Sequence, residues 1–371
     1  MMAGKRFILG FILSLAAVFF SWPGAQTAEA SCGSVTCFVV IGSQQQVPQA
    51  GLLTINTIYN YTPMRLLDGT NGVIPAVDQA NRQMILDHHQ ETRTITQQAT
   101  LDLNYGLTDR VGLQLTLPYV WRTHKHIDGL GEAGHDGGGE STNFSADGIG
   151  DLRVGLKYNV LPTLSSMVVL GFGVYLPSGN THAHDSVGEI MESSTQLGRG
   201  QVGLNPTIYQ TYELIPHRLN QFASGSYRHT FRNNDGYLFG DEYMFNAGLN
   251  LVATPSLVLT GQFNYRYLVH DNFSSSLLQS SPVGTPGGAE PTEIDPLIKN
   301  RAVPTTGSTY HAFSPGFQVG LGQLIESSWT DMTSFYFFAQ IPFARDSNNS
   351  LAQGTSYIFG LTRSFQLLTP S

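Results

Sequence analysis

The 371-residue sequence predicts an all-β protein, a transmembrane antiparallel up-and-down β-barrel of about twelve strands. Three observations carry this expectation. Segments of about ten residues alternate strictly between apolar and polar, which is the period of a strand and not of a helix. Their connections run long, short, long, short, as they do when successive turns face opposite sides of an outer membrane. Only 12% of residues are charged, against about 25% in ordinary soluble domains. Polarity therefore comes chiefly from Ser, Thr, Asn and Gln, which suits a wetted lumen.

At the N-terminus, Lys5 and Arg6 precede an apolar run from Phe7 to Phe20, and Ala28-Glu29-Ala30 follows after Pro23 and Gly24. This is the pattern of a secretory signal peptide over residues 1–30, with an apolar run too short to span a bilayer as a helix. No later stretch approaches 18 consecutive apolar residues, so no transmembrane helix is expected, and an exported chain of this kind is periplasmic, secreted or inserted in the outer membrane as a barrel; the low charge and the alternation favour the last. Residues 31–50 are expected to form a periplasmic N-terminal segment, with Ser34 to Ala50 placed to fold inward as a partial plug, and 51–371 the barrel. Cys32 and Cys37 are the two cysteines. In an oxidising compartment they suit a local disulfide, and two thiols fall short of the four ligands of a structural zinc site.

The strands are expected, in order, at 51–62, 92–105, 111–121, 149–160, 167–177, 202–214, 221–231, 243–253, 257–269, 309–321, 334–344 and 355–365. The second shows the rule: Thr94, Thr96, Gln98, Thr100, Asp102 and Asn104 share one face, and Ile95, Ala99, Leu101, Leu103 and Tyr105 the other. The third repeats it, with Leu113, Leu115 and Leu117 opposed to Gly112, Gln114 and Thr116. Short turns follow strands two, four, six and eight, at 106–110, 161–166, 215–220 and 254–256. Long loops follow strands one, three, five and nine, at 63–91, 122–148, 178–201 and 270–308. The connection 322–333 departs from the pattern, being longer than a periplasmic turn requires. Pro118, Pro177 and Pro342 fall near strand ends, where a missing N–H is tolerated. Tyr59, Tyr61, Tyr119, Trp121, Tyr175, Tyr265, Tyr267 and Phe343 also gather at strand ends, as two interfacial girdles would.

From Gly148 the chain reads GIGDLRVGLKYNV and, after a turn, VVLGFGVYLPSGN; LDLNYGLTDRVGLQLTLPYV lies upstream, and TYHAFSPGFQVG and FYFFAQIPF downstream. In their order these segments resemble an outer-membrane β-barrel transporter family associated with the meta-cleavage pathway of phenol degradation. The resemblance covers most of the mature chain. It implies about twelve strands and passage of small organic molecules, and it supplies no catalytic residues.

Period-two counting puts Asp102, Asp151, Arg153, Lys157, Glu213 and Arg266 on polar strand faces. A lipid-facing Lys or Arg at the midplane costs roughly 2–4 kcal/mol, so these charges are expected in the lumen, as a bracing network, a charged constriction, or both. Strand direction divides them into an outer level of Asp151, Arg153 and Arg266 and a lower level of Asp102, Glu213 and Lys157. Twelve strands give a backbone diameter of roughly 24 Å, enough for a small solute if nothing plugs the lumen. Histidines gather in the expected outer loops: Asp87-His88-His89, His124 and His126 with His135 and Asp136, and His182 and His184 with Asp185. Imidazoles beside carboxylates can ligate zinc or copper, with His124, His126, His182 and His184 as the candidate set.

Other classes fit poorly. A formal charge of −8 argues against nucleic acid. No serine and histidine stand at suitable spacing for catalysis on one wall, although His229, His270 and His311 lie on or near strands. The reading is therefore a channel or transporter for small, hydrophobic or aromatic molecules, with no catalytic residues and no cofactor, whose partners are the outer-membrane bilayer and its solutes. The alternative is a structural or interaction barrel whose outer loops bind a partner or a metal ion.

Overall fold

The computed structural model describes residues 42–368, apart from 79–82, 129–139, 164, 187, 189, 274–277, 281–302, 304, 326, 328–329 and 331. The expected signal peptide, the Cys32–Cys37 pair, His135 and Asp136 lie outside the described residues. Eighteen strands are described. They are β1 Leu52–Arg65, β2 Val73–Asp78, β3 Gln83–Gly106, β4 Val111–Asp128, β5 Glu140–Ile149, β6 Leu152–Asn159, β7 Ser166–Leu176, β8 Gly203–Ile215 and β9 Leu219–Thr230. Then come β10 Tyr237–Leu238, β11 Glu242–Thr254, β12 Leu257–Leu268, β13 Asn272–Phe273, β14 Leu278–Ser280, β15 Ser308–Gly320, β16 Thr333–Asp346, β17 Ala352–Gln353 and β18 Ser356–Gln366.

Twelve antiparallel staves make the wall: β1, β3, β4, β5 continued by β6, β7, β8, β9, β11, β12, β15, β16 and β18. Each pairs with its neighbour in sequence, and β1 with β18 closes the ring, from Leu52↔Gln366 to Tyr61↔Tyr357. Closure leaves no unpaired edge in hydrocarbon. Every expected stave is present. Leu52 lies beside Gln366 and the short turn after β3, so the start of β1 and the end of β18 share the short-turn, periplasmic end.

The facing follows the alternation. Leu101, Leu113, Leu115, Leu156, Phe172 and Ile208 are exposed on the outside, while Asn56, Asn60, Thr96, Asp102, Asn104 and Asn264 are buried inside. Apolar residues outward and polar residues inward are the arrangement of a barrel in lipid and the reverse of a soluble one. Leu115→Arg should therefore lower folding stability by roughly 2–4 kcal/mol, read from denaturant-titrated folding in lipid vesicles. Its neighbour Gln114, which the alternation alone would leave wetted and tolerant, is instead 6% exposed and bonded to Asp102 and Arg153. Gln114→Arg should also destabilise, by crowding a third cation against Arg153 and Lys157.

The expected long loops 63–91 and 122–148 are largely strand. The β3–β4 ladder runs on to His89↔Asp128, and β5 pairs with β4 from Tyr119↔Ile149 to Asp128↔Glu140. These extensions stand above the bilayer, where both faces meet water or other loops, so they lack the apolar row that marks a stave in the sequence. Two one-residue slips shape the extension. Glu91↔His126 is followed by Arg93↔Lys125, leaving Thr92 as an extra residue. Thr116↔Arg153 gives way to Tyr119↔Ile149 across Gly150 and Asp151. Each bulge exchanges inward and outward parity on its strand. The long connection 322–333 begins with a single 3-10 turn at Leu321–Gln323.

Candidate functional site

The lumen is occupied at two levels. At the periplasmic end, the helical turn Gly42–Gln45 and the residues after it lie inside the ring. Lys157 Nζ donates to the Gln44 carbonyl and, at 2.5 Å, to Asn104 Oδ1. Val47 packs on the lumenal cluster of Val169, Tyr209 and Phe222. Lys157→Met should remove a charge-assisted hydrogen bond worth about 1.5–3 kcal/mol. Hydrogen–deuterium exchange over 42–50 should then accelerate, which is the measurement that checks this contact.

Beside this segment stands a brace. Asp102 accepts from Asn56 Nδ2 at 3.1 Å, Gln114 Nε2 at 2.6 Å, Thr116 Oγ1 at 2.8 Å and Asn104. Thr362 Oγ1 extends the network to β18 by donating to Asn56 Oδ1 at 2.6 Å. Arg153 Nη1 donates to Gln114 Oε1 at 2.8 Å. Arg153 thus joins Asp102 and Lys157 in one network, and the two expected levels merge there. A long side chain spans more than one ladder step, and strand position alone does not record that.

The second occupant enters from outside. The connection 177–202 folds into the mouth, where Ser193, Ser194, Thr195, Gln196 and Arg199 are buried. Asp151 anchors it, accepting from the Gly179 N–H at 3.2 Å and the Arg199 N–H at 2.9 Å. Arg122 Nη1 donates to the carbonyls of Thr195 and Gln196, each at 2.7 Å. Asp151 keeps the inward parity of Arg153 and Lys157 on β6, and the bulge beside it reverses the parity of β5. Around the same loop, Tyr237 donates to Asp271 Oδ2, the Gly240 N–H donates to Asp271 Oδ1 at 2.6 Å, and Arg199 stacks on Phe239 at 5.0 Å.

Between the loop and the wall lies a cavity of about 130 Å3. Arg122, Arg153, Arg199 and Arg228 line it with Asp151, and Tyr175, Phe239, Val120 and Leu197 supply apolar surface. Arg228, whose facing the alternation leaves open, is lumenal, its guanidinium 3.8 Å above the Tyr175 ring. Tyr175 is accordingly a lumenal group and not part of a lipid-facing girdle.

The other singled-out residues fall elsewhere. Arg266 is buried against Tyr310, 5.6 Å from its ring, and is not among the residues lining this cavity. Glu213 is half-buried at the periplasmic end of β8, opposite Asn220. His124 and His126 are not loop residues but lumenal residues of β4, both buried, whereas His182 and His184 are exposed on the 177–202 connection. The four expected ligands therefore do not converge, because strand pairing carries the first pair inward. His89, Glu91 and Glu192 gather near the first pair instead. Counting by twos from Thr94 sends Glu91 to the lipid face; the extra residue at Thr92 reverses that.

A family model described as "Putative MetA-pathway of phenol degradation" matches residues 87–276, just over half of the chain. Among solved structures, an outer membrane channel from Pseudomonas putida F1 is similar at 11% identity and a TM-score of 0.55, over 88% of this chain and 100% of that one. At that identity the likeness concerns the fold. More distant are the translocator domain of the autotransporter NalP from Neisseria meningitidis, at 10% identity, a TM-score of 0.41 and coverage of 87% and 91%, and the Ralstonia pickettii toluene transporter TbuX, at 10% identity, a TM-score of 0.40 and coverage of 86% and 90%. No curated protein matches the sequence.

Proposed function

Because this chain belongs to the MetA-pathway phenol-degradation family and carries the wall of an outer-membrane β-barrel, we propose that it is a channel or transporter for small organic solutes, hydrophobic or aromatic ones. The observation that carries this reading is the cavity under the infolded loop. Its volume, about 130 Å3, is close to that of an engineered protein cavity, about 150 Å3, which admits benzene. Its lining sets Tyr175 and Phe239 beside four guanidinium groups. Aromatic faces take a ring, and guanidinium forks pair with carboxylate or phenolate oxygen. Small aromatics, and among them those with an acidic substituent, are the solutes this lining suits. Asp102 and its partners hold the ring rigid, while Asp151 and Arg122 hold the loop that stands in the path.

Purified folded protein in planar bilayers tests the reading. Discrete current steps are expected, with benzoate reducing the chloride current by occupying the cavity. Absence of current together with absence of phenol and benzoate uptake into proteoliposomes would leave a closed structural barrel.

A further inference from the structure

Above the cavity, the extended β3–β4 ladder and the infolded loop bring five potential metal ligands to one place at the outer mouth. His89 and Glu91 come from β3, His124 and His126 from β4, and Glu192 from the connection 177–202. Glu91 and His124 are almost completely enclosed, and His89 and His126 are nearly so. Ligand atoms of His89, Glu91 and Glu192 all lie within 4.8 Å of one another. Glu91 Oε1 is 3.7 Å from His89 Nε2 and 3.6 Å from His124 Nε2. The His126 ring sits between the other two, with centroids 4.8 Å from His89 and 5.1 Å from His124.

These separations are too long for hydrogen bonds and close to the edge of a ligand tetrahedron. Bonds of about 2.0–2.1 Å to nitrogen and oxygen place tetrahedral ligand atoms roughly 3.3–3.4 Å apart. Glu91 Oε1 thus stands at nearly ligand-to-ligand separation from His89 Nε2 on one side and from His124 Nε2 on the other. His124 is also prepared from behind, because its Nδ1 lies 2.8 Å from Thr94 Oγ1. With Nδ1–H donating to that hydroxyl, Nε2 keeps its lone pair toward Glu91, which is the outer-shell arrangement of ligating imidazoles. Imidazole with carboxylate suits zinc and its first-row neighbours rather than calcium or magnesium.

We propose that His89, Glu91, His124 and Glu192 form a binding site for one divalent transition-metal ion of the zinc type, with His126 packed against it. Glu192 is the ligand that gives the site a consequence. It belongs to the infolded loop, while the other three belong to the wall, so the ion ties the loop to the mouth of the barrel. This site stands independently of which solute, if any, crosses the lumen.

The test uses the full folded protein in detergent, stripped with chelator and titrated with zinc by calorimetry and with cobalt by visible absorption. One bound equivalent is expected, with the intense d–d bands of tetrahedral cobalt. The double variant Glu91→Gln, His124→Ala should lose that equivalent, and Glu192→Gln should weaken it. The milder Thr94→Val, which removes only the outer-shell partner, should weaken binding about 10–100-fold. His182→Ala with His184→Ala should retain the full equivalent. Heat-modifiable migration on gels verifies that each variant is folded, and Thr94→Val serves if the double variant does not fold. No bound equivalent in the unaltered protein would overturn the proposal. So would retention of binding in the folded Glu91 and His124 variant, undiminished affinity in Thr94→Val, or loss of binding in the His182 and His184 variant.

Discussion

Asp151→Ala is expected to raise the open probability of the barrel by one to two orders of magnitude. The carboxylate accepts from the Gly179 N–H at 3.2 Å and the Arg199 N–H at 2.9 Å, one near each end of the infolded segment. A hydrogen bond to a charged group contributes about 1.5–3 kcal/mol, and every 1.4 kcal/mol is tenfold in a population. Losing this anchor should shift the loop outward by that factor, even with Arg122 still holding the Thr195 and Gln196 carbonyls. Single-channel recording in planar bilayers reads the change directly. Protease applied to intact cells should cut the 177–202 connection faster at the same time. Asp185→Ala is the control, because the bond that Asp185 accepts from the Gly188 N–H lies within the loop itself. Equal effects of the two substitutions would mean that the loop is not held at Asp151.

Replacing Arg153 and Arg228 together with glutamine should move the ion preference toward cations. Four arginines and one aspartate line the cavity, so the lining favours anions, and the double change removes half of the guanidinium charge. In a narrow lumen with low-dielectric walls such charges act strongly on a passing ion. Reversal potentials across a salt gradient should shift accordingly, and benzoate block should weaken. Arg266→Gln makes the contrast. Arg266 is buried on Tyr310, so its loss should lower thermal stability and leave the reversal potential in place. An unchanged potential in the double variant would remove the case for a charged filter.

Much of the wall was legible by counting in twos. Each of the twelve staves carries a row of lipid-facing residues against a row of small polar ones, and the short turns separate them. Strand ends above the bilayer were not legible. From Arg122 to Asp128 Ile127 alone is apolar, so the segment reads as loop although it pairs with β3 and β5. Asp102, Asp151, Arg153 and Lys157 were singled out as lumenal charges, and the structure places them inside. Their partners were not readable, because Arg153 reaches along the wall to Gln114 and Asp151 reaches to a loop about 28 and 48 residues away in sequence. Glu91 was hidden by the bulge at Thr92, and Glu192 by its place in a loop with no periodicity.

The sequence by itself determined the class of fold, the number and order of the staves, and which residues share a face. Those follow from local chemistry: the two-residue repeat of a strand and the turn residues between strands. Only the tertiary structure decided which face is out, which residues meet across the lumen, and that the connection 177–202 stands in the path beside the inward-folding N-terminal segment. Closing the ring converts an ambiguous alternation into an inside and an outside. A single extra residue in a strand exchanges the two, as it does at Thr92 for His89 and Glu91. Contacts made across a closed ring join positions far apart in the chain, so no local pattern records them.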